Sequence, residues 1–182
     1  GMPNISIQRT NLNILSQSDL KQQYELLIHA YAETEKEIWG DNYVRVSLEE
    51  YKQDIENETV FTAKLDDEVV GTILLASIAE GTFSFSLLAV DFSKKGFGIG
   101  RLLIEKAEQT ALEYGGKKMS IEILKPKNEA VPFKDQLGQW YQRLGYEFTG
   151  SKSFIERKPK KVEKAKELIT DAVFDCYEKK LN

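Results

Sequence analysis

The sequence predicts an α/β (α+β) chain, and three stretches carry that prediction. Leu87 to Val90, a short apolar run of strand type, leads through Gly96, Gly98 and Gly100 into a segment where Leu102, Leu103, Ile104, Ala107, Ala111 and Leu112 recur at helical spacing. Val60 to Leu65 and Val69 to Ser77 flank the turn residues Asp66 and Asp67 and read as a β-hairpin. Residues 118 to 126 (KMSIEILKP) and 137 to 150 (LGQWYQRLGYEFTG) read as a strand, a helix stopped at Gly145, and another strand.

Taken in order, a first strand is expected around Ile5 to Leu15. Ser18 can cap a helix with apolar positions at Leu20, Tyr24, Leu27, Ile28 and Tyr31 that runs to about Trp39, where Gly40, Asp41 and Asn42 break it. Ser47, with Glu50 three residues on, makes a capping-box pattern for a second helix through Tyr51 and Ile55. The hairpin, the long strand from Thr82 to Val90 and the segments above complete the order β-α-α-β-β-β-α-β-α-β.

Beyond that order, Val162, Ala165, Leu168, Ile169, Ala172, Val173 and Cys176 form an apolar stripe at helical spacing just after Pro159. It predicts an extra C-terminal amphipathic helix, so the expected division is a domain over 2–158 and a helical extension over 159–182. The stripe must be covered, either by its own domain or by a second subunit, which makes a homodimer one of two arrangements.

Composition bounds the rest. A chain of 182 residues, 41% hydrophobic and 30% charged, fits one globular domain with a core large enough to need no staples. The single Cys176 excludes an internal disulfide and a cysteine-based metal cluster, and the lone His29 has no partner at metal-ligand spacing, so no metal is expected. A net charge of −4, with no basic motif interleaved with aromatics, argues against nucleic acid. No apolar run reaches membrane-spanning length and no secretory leader precedes Met2, so a cytoplasmic protein with no membrane partner is expected; Gly1 is set aside as a cloning remnant. Acidic residues dominate the first 70 positions, where they could attract a cationic amine. Lys152, Arg157, Lys158, Lys160, Lys161, Lys164 and Lys166 cluster near the end, as solvated side chains or as partners of a ligand's phosphates.

The glycine-rich corner carries the chemistry. Glycine permits positive φ and lets a ligand approach bare backbone, while the first turn of a helix offers unpaired N–H groups and the positive end of its dipole. A diphosphate is the expected ligand. The spacing fits neither G-x-x-x-x-G-K-[ST], since Arg101 and Leu102 follow the last glycine, nor G-x-G-x-x-G. Glu122 stands out separately as a charge in the apolar run Ile121, Ile123, Leu124, where an unpaired carboxylate would cost several kcal/mol.

The segment K-G-F-G-I-G, residues 95 to 100 after L-A-V, resembles the [QR]-x-x-G-x-G/A signature of the GNAT superfamily of acetyl-CoA-dependent N-acetyltransferases, with Lys95 in place of Gln or Arg and Phe92 in place of a frequent proline. W-Y-Q-R-L-G-Y-E-F-T-G resembles the family's second signature, Y-E-K-x-G-F, and I-E-I-L-K-P-K-N resembles its L-E-V-R-x-x-N, with Asn128 one position late. The resemblance spans roughly residues 5 to 156. It implies a central mixed, mostly antiparallel sheet flanked by helices, with acetyl-CoA as acyl donor and coenzyme A as product. It implies coenzyme contacts at Leu88, Ala89, Val90, Lys95, Gly96, Phe97, Gly98, Ile99, Gly100, Arg101 and Asn128. Tyr141 then becomes the general acid beside the departing thiolate, Glu122 the general base acting directly or through water, and a bulge at about Leu88 to Val90 the source of an N–H for the oxyanion. The family's acceptor segment falls at Trp39, Asn42, Tyr43 and Arg45, where an aromatic can hold a cation or a ring and Arg45 a carboxylate.

The reaction so implied is direct attack of a primary amine on the acetyl thioester in a ternary complex. An amine with pKa near 10.4 costs about 4–5 kcal/mol to deprotonate at neutral pH, which is why a base is expected. The acceptor is a small-molecule amine or a peptide amine. Two alternatives stand beside it: a protein lysine or N-terminal acetyltransferase, and a non-catalytic acyl-CoA-binding module acting through a protein partner.

Overall fold

The structure is a computed structural model and describes residues 4–182. Gly1 and Met2 lie outside the described residues. Strand β1 (Ile5–Arg9) is followed by α1 (Gln17–Thr34), α2 (Lys36–Trp39) and α3 (Leu48–Asn57). Strands β2 (Thr59–Leu65), β3 (Glu68–Ala79) and β4 (Thr82–Val90) precede α4 (Ile99–Glu113), β5 (Lys118–Pro126), α5 (Pro132–Arg143) and β6 (Glu147–Ser153). Two one-turn helices, α6 (Phe154–Arg157) and α7 (Val162–Ala165), lead to β7 (Ala172–Lys180).

Local chemistry accounts for most boundaries and corrects several. β1 stops at Arg9 rather than near Leu15, because Thr10 turns inward to Thr62 and the chain closes a turn at Asn11 through the Leu15 N–H. The cap of α1 is Ser16, not Ser18: its hydroxyl accepts the Asp19 N–H. That helix ends at Thr34 rather than Trp39, since Glu35 leaves the helical path and α2 restarts the chain. The Ser47–Glu50 capping box forms as the spacing predicts.

The larger correction concerns the C-terminus. Residues 172–180 form a strand, not part of an amphipathic helix, and it lies between β5 and β6 in the order β1-β2-β3-β4-β5-β7-β6. β7 pairs antiparallel with β5 from Lys118↔Lys180 to Pro126↔Ala172, and with β6 on its other side. A strand covered on both faces shows no clean alternation, so its apolar residues matched a helical spacing by coincidence. Ala172, Val173 and Cys176 of the stripe are therefore taken up inside the sheet, while Val162 and Ile169 stay exposed, so the stripe is not the face of one amphipathic helix.

Neighbouring strands run antiparallel except β4 and β5, which are parallel and pair only at Thr82↔Lys118 and Phe83↔Met119 before separating. On one sheet face α4 and α5 cover a core that includes Phe85, Ile99, Leu103, Ile121, Ile123 and Tyr141. On the other, α1 and α3 cover Val60, Leu74 and Leu87, while Ile38, Trp39, Tyr43, Leu124, Phe154 and Phe174 form a second cluster beside them. A buried polar network holds α1 in place: the Gln23 amide nitrogen donates to Thr10, Tyr51 and Thr72, and its oxygen accepts from Thr62. Every member is satisfied, so the network specifies the seat of α1 without leaving a buried polar atom unpaired.

Candidate active site

The parting of β4 and β5 opens a cleft of about 1610 Å³, larger than the roughly 300–1,000 Å³ of a typical small-ligand pocket. It is lined from both faces of the sheet: by Ile99, Ile123, Trp140 and Tyr141 on the α4–α5 face, and by Trp39, Tyr43, Leu124, Phe154 and Phe174 on the other. The opening is a passage through the sheet rather than a groove on one side.

At the α4 end, the loop after Val90 holds Gly96 at φ +88° and Gly98 at φ +71°, with nothing within 4 Å of where a Cβ would stand on either. Gly98 is the N-cap of α4 and supplies no side-chain cap, so the first N–H groups of that helix are unclaimed. Gly100 has another reason: a Cβ there would meet Trp140 Cη2 at 3.0 Å, so the third glycine permits α4 and α5 to approach. A bare-backbone cradle at a positive helix terminus, opening on a cleft of this size, fits the diphosphate and pantetheine arm of a coenzyme A thioester. Leu88, Ala89, Val90, Lys95, Gly96, Gly98, Ile99, Gly100 and Arg101 all line the cleft. Two residues expected as contacts lie outside this lining. Phe97 turns to solvent, 38% exposed, and does not line it. Asn128 is also exposed and outside the lining, because β5 runs on to Pro126 and the Lys127 N–H binds the Asp171 carbonyl, carrying this turn toward β7.

The strand bulge lies slightly before its expected place. Thr72 pairs with Ala89 and Leu74 with Ser86, so Leu87 and Leu88 together oppose Ile73, and Leu87 takes φ +49°. The backbone of Leu87 and Leu88 lies near the Tyr31 phenol. Burial raises the Tyr31 pKa to about 12, Glu35 adds to the rise, and Arg45 and that backbone oppose it. The bulge interrupts the β-ladder here, and Leu88 lines the cleft.

Tyr141 comes from α5 and is only 6% exposed, packed edge-on to Phe85 at 5.7 Å and against Trp140 at 5.5 Å. Burial first, then Tyr31 and Tyr177, pushes its phenol far above the ordinary tyrosine value. Glu122 also reaches the cleft, yet its carboxylate accepts Arg157 Nε and Lys158 Nζ, each at 2.6 Å. Each of its oxygens is thus held by one cation.

Trp39, Tyr43 and Arg45 line the face opposite the glycine loop, as expected of an acceptor segment, while Asn42 lies outside this lining. Trp39 and Tyr43 stack at 5.0 Å, and Arg45 lies over the Tyr31 ring at 5.6 Å. The sequence reading missed Tyr31, Glu35 and Lys134 as site residues and found Lys158, Lys161 and Lys164 only as part of a basic cluster; all six line the cleft. Glu35 accepts Trp39 Nε1 at 3.1 Å and Lys134 Nζ at 2.7 Å, a buried ion pair tying the end of α1 to the start of α5. A signal existed, since Tyr31, Glu35 and Trp39 recur every four residues along one helical face. The C-terminal lysines showed only as a charge cluster, because their place depends on how 154–171 folds back: Lys158, Lys161 and Lys164 stand on the face away from the glycine loop. Among the described residues no group of acidic, histidine or cysteine side chains could hold a metal ion, and no helix is long and apolar enough to cross a membrane.

Comparison with known proteins gives one match to a family model, that of the acetyltransferase (GNAT) family, over residues 23–146. No curated protein sequence matches the chain. Among solved structures, an aminoglycoside 6′-N-acetyltransferase complexed with coenzyme A is similar at TM-score 0.71 and 16% identity, over 97% of each chain. A GNAT family acetyltransferase from Elizabethkingia anophelis with acetyl-CoA bound is similar at TM-score 0.64 and 20% identity, over 97% of this chain and 98% of that one. An IAA acetyltransferase from Bacillus cereus ATCC 14579 is similar at TM-score 0.61 and 18% identity, over 97% and 99%. At these identities the structural likeness is one of fold.

Proposed function

The chain belongs to the acetyltransferase (GNAT) family, and from that premise we propose that it transfers the acetyl group of acetyl-CoA to the primary amine of a small molecule within a ternary complex. The observation that carries this is the convergence on one through-sheet cleft of three parts: the uncapped α4 terminus, the Leu87–Leu88 bulge and the Tyr141 hydroxyl. Acetyl-CoA supplies the activated acetyl group. The α4 N–H groups and the glycines at 96 and 98 receive the diphosphate, and Lys95, Ile99 and Arg101 border it. The bulge N–H groups stabilise the oxygen that gains negative charge as the amine adds. Tyr141, which stays neutral, donates a hydrogen bond to the departing sulfur.

Glu122 takes a different part from the one its sequence context suggested. Held by Arg157 and Lys158, it acts as a positioning residue that fixes α6 against β5, and the amine loses its proton to water in the cleft. A small acceptor is favoured over a peptide because loop 40–46 and segment 154–168 pack together over the ends of β5 and β7, walling that side.

The test is calorimetric titration with acetyl-CoA, followed by a thiol-release assay against amino acids, polyamines, aminoglycosides and lysine peptides. Binding with thiol release for one class of small amine is expected. Release with peptides alone would transfer the reading to a protein acetyltransferase. Binding with no release would transfer it to an acyl-CoA-binding module acting through a partner, and no binding would overturn it.

A further inference from the structure

We propose that the acceptor amine carries an anionic group, a carboxylate or a phosphate, received by Arg45 and Lys161 on the face of the cleft opposite the glycine loop. The inference deepens the acetyltransferase reading and rests on it.

Four cations, Arg45, Lys158, Lys161 and Lys164, line that side. The acids around them are largely committed. Glu35 holds Lys134 at 2.7 Å, Glu122 holds Arg157 and Lys158, Glu167 meets Lys164 at 3.7 Å, and Glu50 caps α3. Asp54 of α3 stands near Arg45 and Lys161 but forms no ion pair with either. Among the described residues, Arg45 and Lys161 are therefore left without an ion pair.

Arg45 is held in place, while Lys161 is exposed at the rim of the cleft. Arg45 is half-buried over Tyr31, and Lys164 sits 4.7 Å from the ring centres of both Trp39 and Tyr43. Desolvation there, with Arg45 and Lys158 close by, lowers the Lys161 pKa. Like charges gathered in a cleft repel one another, and an anion placed among them relieves that repulsion. The diphosphate of the coenzyme does not meet this need, because its cradle lies on the other face of the sheet.

An acceptor with an anion at one end and an amine at the other is anchored by its charge, with the amine free to reach the thioester.

The experiment uses the full chain saturated with acetyl-CoA and measures thiol release for matched pairs: amino acids against their amides, and 2-aminoethyl phosphate against ethanolamine. A kcat/KM at least roughly tenfold higher for the anionic member of a carboxylate or a phosphate pair is expected, the scale of one charge-assisted hydrogen bond. That preference should collapse in Arg45→Ala and Lys161→Ala while the acetyl-CoA Kd stays unchanged. If no pair is turned over, calorimetry of the CoA-saturated protein with malonate and with inorganic phosphate decides. Saturable binding lost in Arg45→Ala supports the proposal, and no binding of either probe overturns it. Equal use of both members of every pair, or a preference that survives both variants, overturns the anionic acceptor while acetyl transfer stands. Variants that weaken acetyl-CoA instead would assign these cations to the coenzyme and overturn it too. Failure of acetyl-CoA to bind the wild-type chain overturns the transferase reading and this proposal together.

Discussion

Tyr141 has the protonation chemistry of an acid. Burial, then its tyrosine neighbours, favours the neutral phenol, so the proton is retained as pH rises past the ordinary tyrosine value of about 10. A rate that depends on that proton therefore shows no falling limb up to about pH 10, and the kcat–pH profile checks this. Tyr141→Phe removes the proton and keeps the ring packed on Phe85 and Trp140. It should lower kcat at least roughly tenfold with the acetyl-CoA Kd unchanged, measured by steady-state kinetics and calorimetry. Glu122→Gln reads differently. Weakening its hold on Arg157 and Lys158 should cost about 1–3 kcal/mol of stability in denaturant titration and raise the acceptor KM, with the shape of the pH–rate profile preserved. Recovery of the Gln variant's rate at high pH would restore Glu122 as the base.

Between residue and fold, the β4–α4 corner shows how backbone conformation becomes a binding site. Gly98 at φ +71°, ψ 23° is left-handed, which costs an alanine roughly 1 kcal/mol. Its Cβ would meet no protein atom within 4 Å, so it would project into the space before the helix terminus. Gly98→Ala should fold with about 1–2 kcal/mol less stability and bind acetyl-CoA at least tenfold more weakly, about 1.4 kcal/mol, as calorimetry would show. An unchanged Kd would remove this loop from the diphosphate site. This element was legible in the sequence because alternate glycines encode a backbone shape directly. The boundaries of β4 and β5 were legible for a related reason, since buried strands read as continuous apolar runs. β7 was not, because Ala172, Val173 and Cys176 satisfy a helical period as well as a strand. The aromatics Phe174 and Tyr177, which fall outside that stripe, were the strand signal. The cationic side of the cleft was illegible in another way, for no local pattern tells a solvated lysine from one that 154–171 folds over an opening between strands.

At the scale of the whole molecule, the last strand decides whether there is a sheet at all. β7 is paired along its full length with β5 and is the partner that holds β6 in the sheet. Its Phe174 stacks on Phe154 at 5.4 Å and lines the cleft, while Tyr177 packs against Tyr141 at 6.3 Å. Ending the chain after Thr170 would strip β5 of its antiparallel partner, leave β6 without a neighbour and uncover Ile121 and Ile123. Exposing fully buried aliphatic side chains costs about 1.5–3 kcal/mol each, and lost ladder hydrogen bonds add about 1 kcal/mol apiece, against a total stability of about 5–15 kcal/mol for a domain. The truncated chain should therefore show no cooperative thermal transition by circular dichroism and no binding of acetyl-CoA, although every residue of the glycine loop, the bulge and Tyr141 is still present. A truncated chain that melts cooperatively and binds acetyl-CoA would make residues 171–182 a dispensable extension. The family-model match ends at residue 146, yet Phe174, which lines the cleft, lies beyond it.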